Sequence, residues 1–167
     1  MKKLMISLLA LMVATSVSAQ KKYLNDPDTP FAQGKTYIEA SLSSFDLSSQ
    51  FKHFHFGLSG RGGYFFQDNL LGLGELGYSH LEDTDDTFTI GAGARYYFSR
   101  NGFYAGAMLK FKHYASNMND FVPALHAGYA FFLGRSVTIE PELYFDFSTK
   151  NFDYSCYGVG VGFGVFL

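Results

Sequence analysis

The sequence predicts an all-β fold, an eight-stranded antiparallel up-and-down transmembrane β-barrel, behind a cleavable leader. Three observations predict it. Apolar and polar residues alternate with period two from about residue 35 to the last residue, the spacing that gives a strand one apolar and one polar face. Phe contributes 19 residues, Tyr 12 and Gly 18, with no Trp, a balance that favours strands over helices. Tight connections alternate with longer polar ones, as in a barrel with turns at one rim and loops at the other.

Lys2 and Lys3 form a positive start, Leu4 to Val13 a mostly apolar run, and Val17 and Ala19 the small residues of a cleavage site before Gln20. These are the parts of a secretory signal peptide, predicted over 1–19. The apolar run is shorter than the roughly 20 residues of a membrane-spanning helix. No Cys stands at the cleavage site to carry a lipid. Residues 20–34 are polar, contain Pro27 and Pro30, and read as a periplasmic N-terminal arm. The barrel is expected over 35–167.

The first segment, Lys35 to Ser44, sets Ile38, Ala40 and Leu42 against Tyr37, Glu39, Ser41 and Ser43. The second, His53 to Phe66, sets Phe54, Phe56, Leu58, Tyr64 and Phe66 against His53, His55, Ser59 and Arg61. The third, Leu70 to His80, alternates less cleanly. Leu76 and Tyr78 face away from Glu75 and Ser79, but Leu71 and Leu73 fall on the polar side. The fourth, Thr87 to Phe98, sets Phe88, Ile90, Ala92, Ala94, Tyr96 and Phe98 against Thr87, Thr89, Gly91, Gly93, Arg95 and Tyr97.

In the fifth segment, Phe103 to Tyr114, Phe103, Ala105, Ala107, Leu109 and Phe111 oppose Tyr104, Gly106, Met108, Lys110 and Lys112. In the sixth, Phe121, Leu125, Tyr129 and Phe131 oppose His126, Gly128 and Ala130. The seventh sets Val137, Ile139, Leu143, Phe145 and Phe147 against Thr138, Glu140, Glu142, Tyr144 and Asp146. The eighth sets Tyr157, Val159, Val161, Phe163, Val165 and Leu167 against Gly158, Gly160, Gly162 and Gly164. Each segment has the length of a tilted membrane strand, roughly 9 to 11 residues or slightly more. Gln67-Asp68-Asn69, Ser99-Arg100-Asn101-Gly102 and Gly134-Arg135-Ser136 carry tight-turn chemistry and are expected at the periplasmic rim. The longer connections, near 45–51, 81–86, 115–120 and 148–153, are expected outside.

Composition closes off other classes. Losing Lys2 and Lys3 with the leader takes the basic count from 13 to 11 against 15 acidic residues, so no basic footprint for a nucleic acid is present. Cys156 is the single cysteine, which excludes an internal disulfide. No segment is long and apolar enough for a helical span. A strand protein in lipid must then close on itself, because lipid cannot satisfy an open sheet edge.

Alternation leaves open which face is outside, and a secreted lipocalin-like binding barrel is the competing arrangement. The glycines of the last segment lie on the polar face, where small residues make room inside a narrow barrel. Aromatics such as Phe88, Tyr96, Phe98, Phe103, Phe131 and Phe147 gather near segment ends, as interfacial girdles do. The last residues fall within a strand, with no helix to flank a soluble calyx. The apolar face is therefore expected to meet lipid. The interior then holds Glu39, Glu75, Glu140, Glu142 and Asp146 against Arg61, Arg95, Lys110 and Lys112, a nearly balanced ion-pair network in a lumen filled by side chains.

The C-terminal run Tyr157-Gly-Val-Gly-Val-Gly-Phe-Gly-Val-Phe-Leu167, on top of eight such segments, resembles the small eight-stranded outer-membrane barrels of the OmpA, OmpX and OmpW type, and more specifically the outer membrane protein beta-barrel domain family. The resemblance covers nearly all of the chain after the leader. It implies export, insertion by the barrel assembly machinery, and an integral place in the bacterial outer membrane. It also implies that Tyr157, Val159, Val161, Phe163, Val165 and Leu167 act as the assembly signal, although Leu167 stands where that signal usually has an aromatic. The expected partners are outer-membrane lipid and lipopolysaccharide and the assembly machinery, with no nucleic acid, for a monomer.

Three groups of residues invite sharper readings. His53 and His55 share one strand face and Cys156 lies near the same rim, a set that suits a soft metal. No third ligand has a supporting spacing, so lumen filling is the reading. Glu82, Asp83, Asp85 and Asp86 cluster in an outer connection but lack a calcium-loop spacing, and read as a solvated turn. His80 and His113 would face the outer leaflet, where a lipid-modifying enzyme needs a base beside a nucleophile. Ser79 and Ser116 fall out of phase with them. The sequence therefore predicts no catalytic residue, no metal and no cofactor. It predicts an outer-membrane barrel with a structural or surface-interaction role, not a general porin. The alternatives are an outer-leaflet lipid-modifying enzyme or a secreted binding barrel.

Overall fold

The computed structural model describes residues 29–46, 56–81, 84–98, 102–114, 118–149 and 155–167. The expected leader and the start of the arm lie outside the described residues. Nine strand segments are present among these: β1 (Thr36–Asp46), β2 (Phe56–Gln67), β3 (Leu70–Leu81), β4 (Thr84–Tyr97), β5 (Phe103–Tyr114), β6 (Met118–Tyr129), β7 (Phe131–Phe132), β8 (Val137–Asp146) and β9 (Cys156–Phe166). Only Ala130 separates β6 from β7. Both pair with β8 in one continuous register, Gly128 with Glu142 and Phe131 with Ile139, so they are two halves of one stave. The barrel thus has eight staves, each antiparallel to its neighbours.

The first and last staves close the ring. β1 pairs with β9 from Tyr37–Phe166 to Asp46–Gly158, and Thr36 and Leu167 exchange backbone hydrogen bonds of 3.0 and 2.8 Å. Closure leaves no ladder edge, the condition a sheet in hydrocarbon must meet. Tracing partners round the wall runs from Thr36 through Tyr64, Gly72, Ala94, Ala107, Leu125 and Phe145 to Tyr157. Its neighbour Gly158 pairs with Asp46, at the far end of β1. One circuit therefore climbs a whole strand, the stagger that tilted staves require.

Tight turns join the staves at one rim. β2 and β3 are joined through Asp68 and Asn69, and Asn69 takes a φ of 65°, a left-handed conformation that Asn tolerates better than most side chains. Gly102, just before β5, has a φ of 78°. The alternation sorts side chains as the period demands. Ile38, Leu58, Leu76, Ile90, Leu109, Leu125, Leu143 and Phe163 face outward and are exposed, while Tyr37, Arg61, Glu75, Arg95, Lys110 and Glu142 are buried inside. Polar residues in the core and apolar ones on the surface invert the arrangement of a water-soluble protein. β3 is irregular because Leu71 and Leu73 are buried inward; the lumen is apolar at the turn end, so the strand changes inner polarity along its length without changing phase.

Candidate functional site: the lumen

Inward side chains form layers along the axis. The layer at the turn end is aromatic. Phe65, Tyr97, Phe132 and Phe166 come from β2, β4, β7 and β9, and the ring of Phe31 sits among them, stacked on Tyr97 with centroids 4.3 Å apart. Phe31 belongs to the predicted arm, not to a strand. The structure thus tucks the end of that arm, from Thr29 onward, into the mouth of the barrel. Asn69 N–H donates to the Phe31 carbonyl (2.8 Å), and Gln33 N–H donates to Asp68 Oδ1 (2.8 Å).

The next layer centres on Arg95, whose side chain has 0 % exposure. Its guanidinium reaches Glu140 Oε2 (2.9 Å), Glu142 Oε2 (3.0 Å) and Glu39 Oε2 (3.3 Å). It also donates to the hydroxyls of Tyr37 (3.1 Å) and Tyr97 (3.2 Å), and Nε donates to His126 Nε2 (3.3 Å). The Tyr104 ring lies 4.1 Å from its carbon, within cation–π range. Side chains of β1, β4, β5, β6 and β8 therefore meet on one cation. Tyr37 O–H faces both Glu39 Oε2 (2.8 Å) and Glu140 Oε2 (2.7 Å), and Thr138 O–H donates to Glu140 Oε1 (2.7 Å).

One layer further, Arg61 Nε donates to Glu75 Oε2 (2.7 Å), while its Nη1 lies 2.8 and 2.9 Å from the two oxygens of Glu142 and 3.4 Å from Glu39. Lys110 Nζ sits 3.4 Å from Glu75 and 3.3 Å from Asp146 Oδ1. That Asp146 oxygen has ion-pair proximity without an aligned hydrogen bond; Oδ2 receives a 2.8 Å bond from Lys112. All nine charged residues expected inside thus fall in one connected network. Beyond it, towards the loops, Asp120 accepts from the hydroxyls of Ser148 (2.6 Å) and Thr149 (3.1 Å).

Space for this network comes from β9, whose inward positions 158, 160, 162 and 164 are glycines. A Cβ added at Gly162 would collide with the Glu39 carboxylate, and one at Gly164 would lie 2.7 Å from Glu140 Oε1 and 2.6 Å from Thr138 Oγ1. The outward residues of the same strand, Tyr157, Val159, Val161, Phe163 and Leu167, are exposed, and Val165 is half-buried.

The remaining sequence candidates fall elsewhere. His53, His55, Glu82 and Asp83 lie outside the described residues, as does Ser116, and the side chains of His80, Asp85, Asp86 and Cys156 are not described. His113 faces outward, exposed, with Nδ1 2.6 Å from Asn119 Oδ1. Among the described residues no group of three or more His, Cys, Asp or Glu is placed to hold a metal ion.

Sequence reading does not anticipate Phe31, His126 and Asp120 as participants. Tyr37, Tyr97 and Tyr104 fall on the polar face by alternation alone, and their hydroxyls are the signal that they serve the charged layer. Phe31 is one aromatic in a polar segment, with no periodicity to mark it.

Comparisons with known proteins agree on the architecture. The chain matches the family described as "Outer membrane protein beta-barrel domain" over residues 7–167. No match was found among curated proteins. Among solved structures, the chain is similar to the N-terminal β-barrel domain of Pseudomonas aeruginosa OprF, with a TM-score of 0.62 at 18 % identity, covering 81 % of this chain and 98 % of that one. It is also similar to Yersinia pestis outer membrane protein Ail, with a TM-score of 0.55 at 14 % identity, covering 81 % and 100 %. Neisserial surface protein A gives 0.54 at 13 % identity, covering 78 % and 95 %. At these identities the likeness is one of fold.

Proposed function

The chain belongs to the outer membrane protein beta-barrel domain family and is an integral outer-membrane protein, and from that premise we propose that it is a non-conducting barrel with a structural or surface-interaction role, neither a general porin nor an enzyme. The observation that carries this reading is the Arg95 layer. A guanidinium with 0 % side-chain exposure, bonded to carboxylates from β1 and β8, supports a lumen filled by side chains at that depth. Opening a water path there would separate buried charges, at a cost of several kcal/mol for each ion stranded. Reconstituted in a planar bilayer, single molecules are expected to give no stable conductance steps. Nanosiemens-scale steps would overturn the reading.

The outward residues Tyr157, Val159, Val161, Phe163, Val165 and Leu167 fit an assembly signal read by the barrel assembly machinery, since the outer face is the one a partner in the membrane meets first. A signal peptide over 1–19 fits the same route. Outer-membrane lipid and lipopolysaccharide are the partners that the apolar wall requires. The closed ladder leaves no strand edge for a second copy, which favours a monomer. No cofactor or metal is assigned.

A further inference from the structure

We infer that the turn-end mouth of the lumen is a binding socket for an aromatic ring, and that the chain fills it with its own Phe31 as a stopper lying ahead of the ion-pair network. The socket is built from Phe65, Tyr97, Phe132 and Phe166. Phe31 has 1 % exposure and contacts all four rings. It stacks on Tyr97 and meets Phe132 and Phe166 edge-on, with centroids 5.7 and 5.4 Å away, and the tilted Phe65 ring at 6.2 Å. Stacked and edge-to-face contacts at such distances are the preferred geometries of aromatic pairs.

The hydrogen bonds of the segment point to docking. Gly34 N–H donates to the Phe65 carbonyl and Thr36 N–H to that of Leu167, and these carry the chain into β1. The residues before them add contacts of their own. Besides the Asn69 and Asp68 bonds, Gln33 Nε2 donates to the Phe66 carbonyl (3.1 Å), and the Ala32 N–H closes a turn on Thr29 (3.1 Å). The ring thus hangs from a turn that is tied to the β2–β3 connection, across the mouth from β7. Beyond Phe31 lie Tyr37 and Arg95, and Tyr97 joins the two layers by its stacked ring and its hydroxyl, so the stopper and the charges lie in series.

The inference is tested by access, not by conductance, so its fate is independent of the non-conducting reading. Ala130 is an inward residue with 0 % exposure in the same aromatic cluster. In full-length protein carrying Cys156→Ser and Ala130→Cys, a membrane-impermeant methanethiosulfonate reagent is expected to label the folded barrel slowly. Adding Phe31→Ala should raise the labelling rate roughly tenfold or more, tenfold corresponding to about 1.4 kcal/mol of closing free energy, while the heat-dependent gel shift of a folded barrel is retained. A folded Phe31→Ala protein labelled no faster than its parent overturns the inference. Should Phe31→Ala not fold, Asp68→Ala decides. That change keeps the Phe31 ring but removes a bond, at an exposed turn, that tethers its segment. Faster labelling supports a docked stopper, and an unchanged rate overturns it.

Discussion

At the turn end of the barrel, Phe31, Phe65, Tyr97, Phe132 and Phe166 fill the interior ring against ring. A few residues further along the same staves, Arg95, Arg61 and Lys110 fill it charge against charge. Both layers bury their side chains, but they respond differently to change. An aromatic layer depends on volume and shape, so it loses stability roughly in proportion to what is removed. An ionic layer depends on every partner being present, because one missing cation strands all the carboxylates that shared it. Arg95 faces three of them.

That contrast can be broken or sharpened by substitution, with stability read as the urea midpoint of the gel-mobility shift in micelles. The largest loss is expected from Arg95→Met, about 3–5 kcal/mol, the usual cost of removing one partner of a buried pair. Adding Glu140→Gln should recover part of it, since fewer charges are then left facing one another. A midpoint unchanged by Arg95→Met would mean the network is incidental to stability. Next comes Gly162→Val, expected to cost about 1–3 kcal/mol by overpacking because its Cβ meets the Glu39 carboxylate. Gly62→Ala, outward with nothing within 4 Å of the added Cβ, should stay within about 0.5 kcal/mol. Equal losses from the two glycines would show that strand propensity, not lumen space, is what matters. The smallest lumen effect is expected from Leu71→Met in the apolar layer, under about 1.5 kcal/mol for a swap that conserves volume. A larger loss there would show that the aromatic end is as intolerant as the ionic one.

The staves and their faces were legible because period two survives wherever lipid meets one side of a strand. Ile38, Leu58, Phe88, Leu109 and Val161 sit outside for that reason. Even β3 keeps its phase; what blurs it in the sequence is that Leu71 and Leu73 serve an apolar part of the lumen while Glu75 serves the ionic part. Membership of the charged layer followed from the same alternation. Its pairing did not, because which carboxylate meets Arg95 depends on stagger, a property of the closed ring that local sequence does not express. Phe31 was illegible for another reason. Its partners come from β2, β4, β7 and β9, and nothing within its own segment announces them.

The glycine run of β9 bears on how the ring closes. β9 lies between β1 and β8, where Glu39, Glu140 and Thr138 crowd the interior. At Gly158, Gly160, Gly162 and Gly164 the strand presents only hydrogens to that side and can slide in without prying the network apart. The same smoothness removes the inward face as a guide to alignment, since one glycine fits where the next should be. Among the described inward side chains of β9, Phe166 marks the correct position, by seating its ring on Tyr37 and Phe132. A two-residue misalignment would leave that ring without its seat on Tyr37 and Phe132.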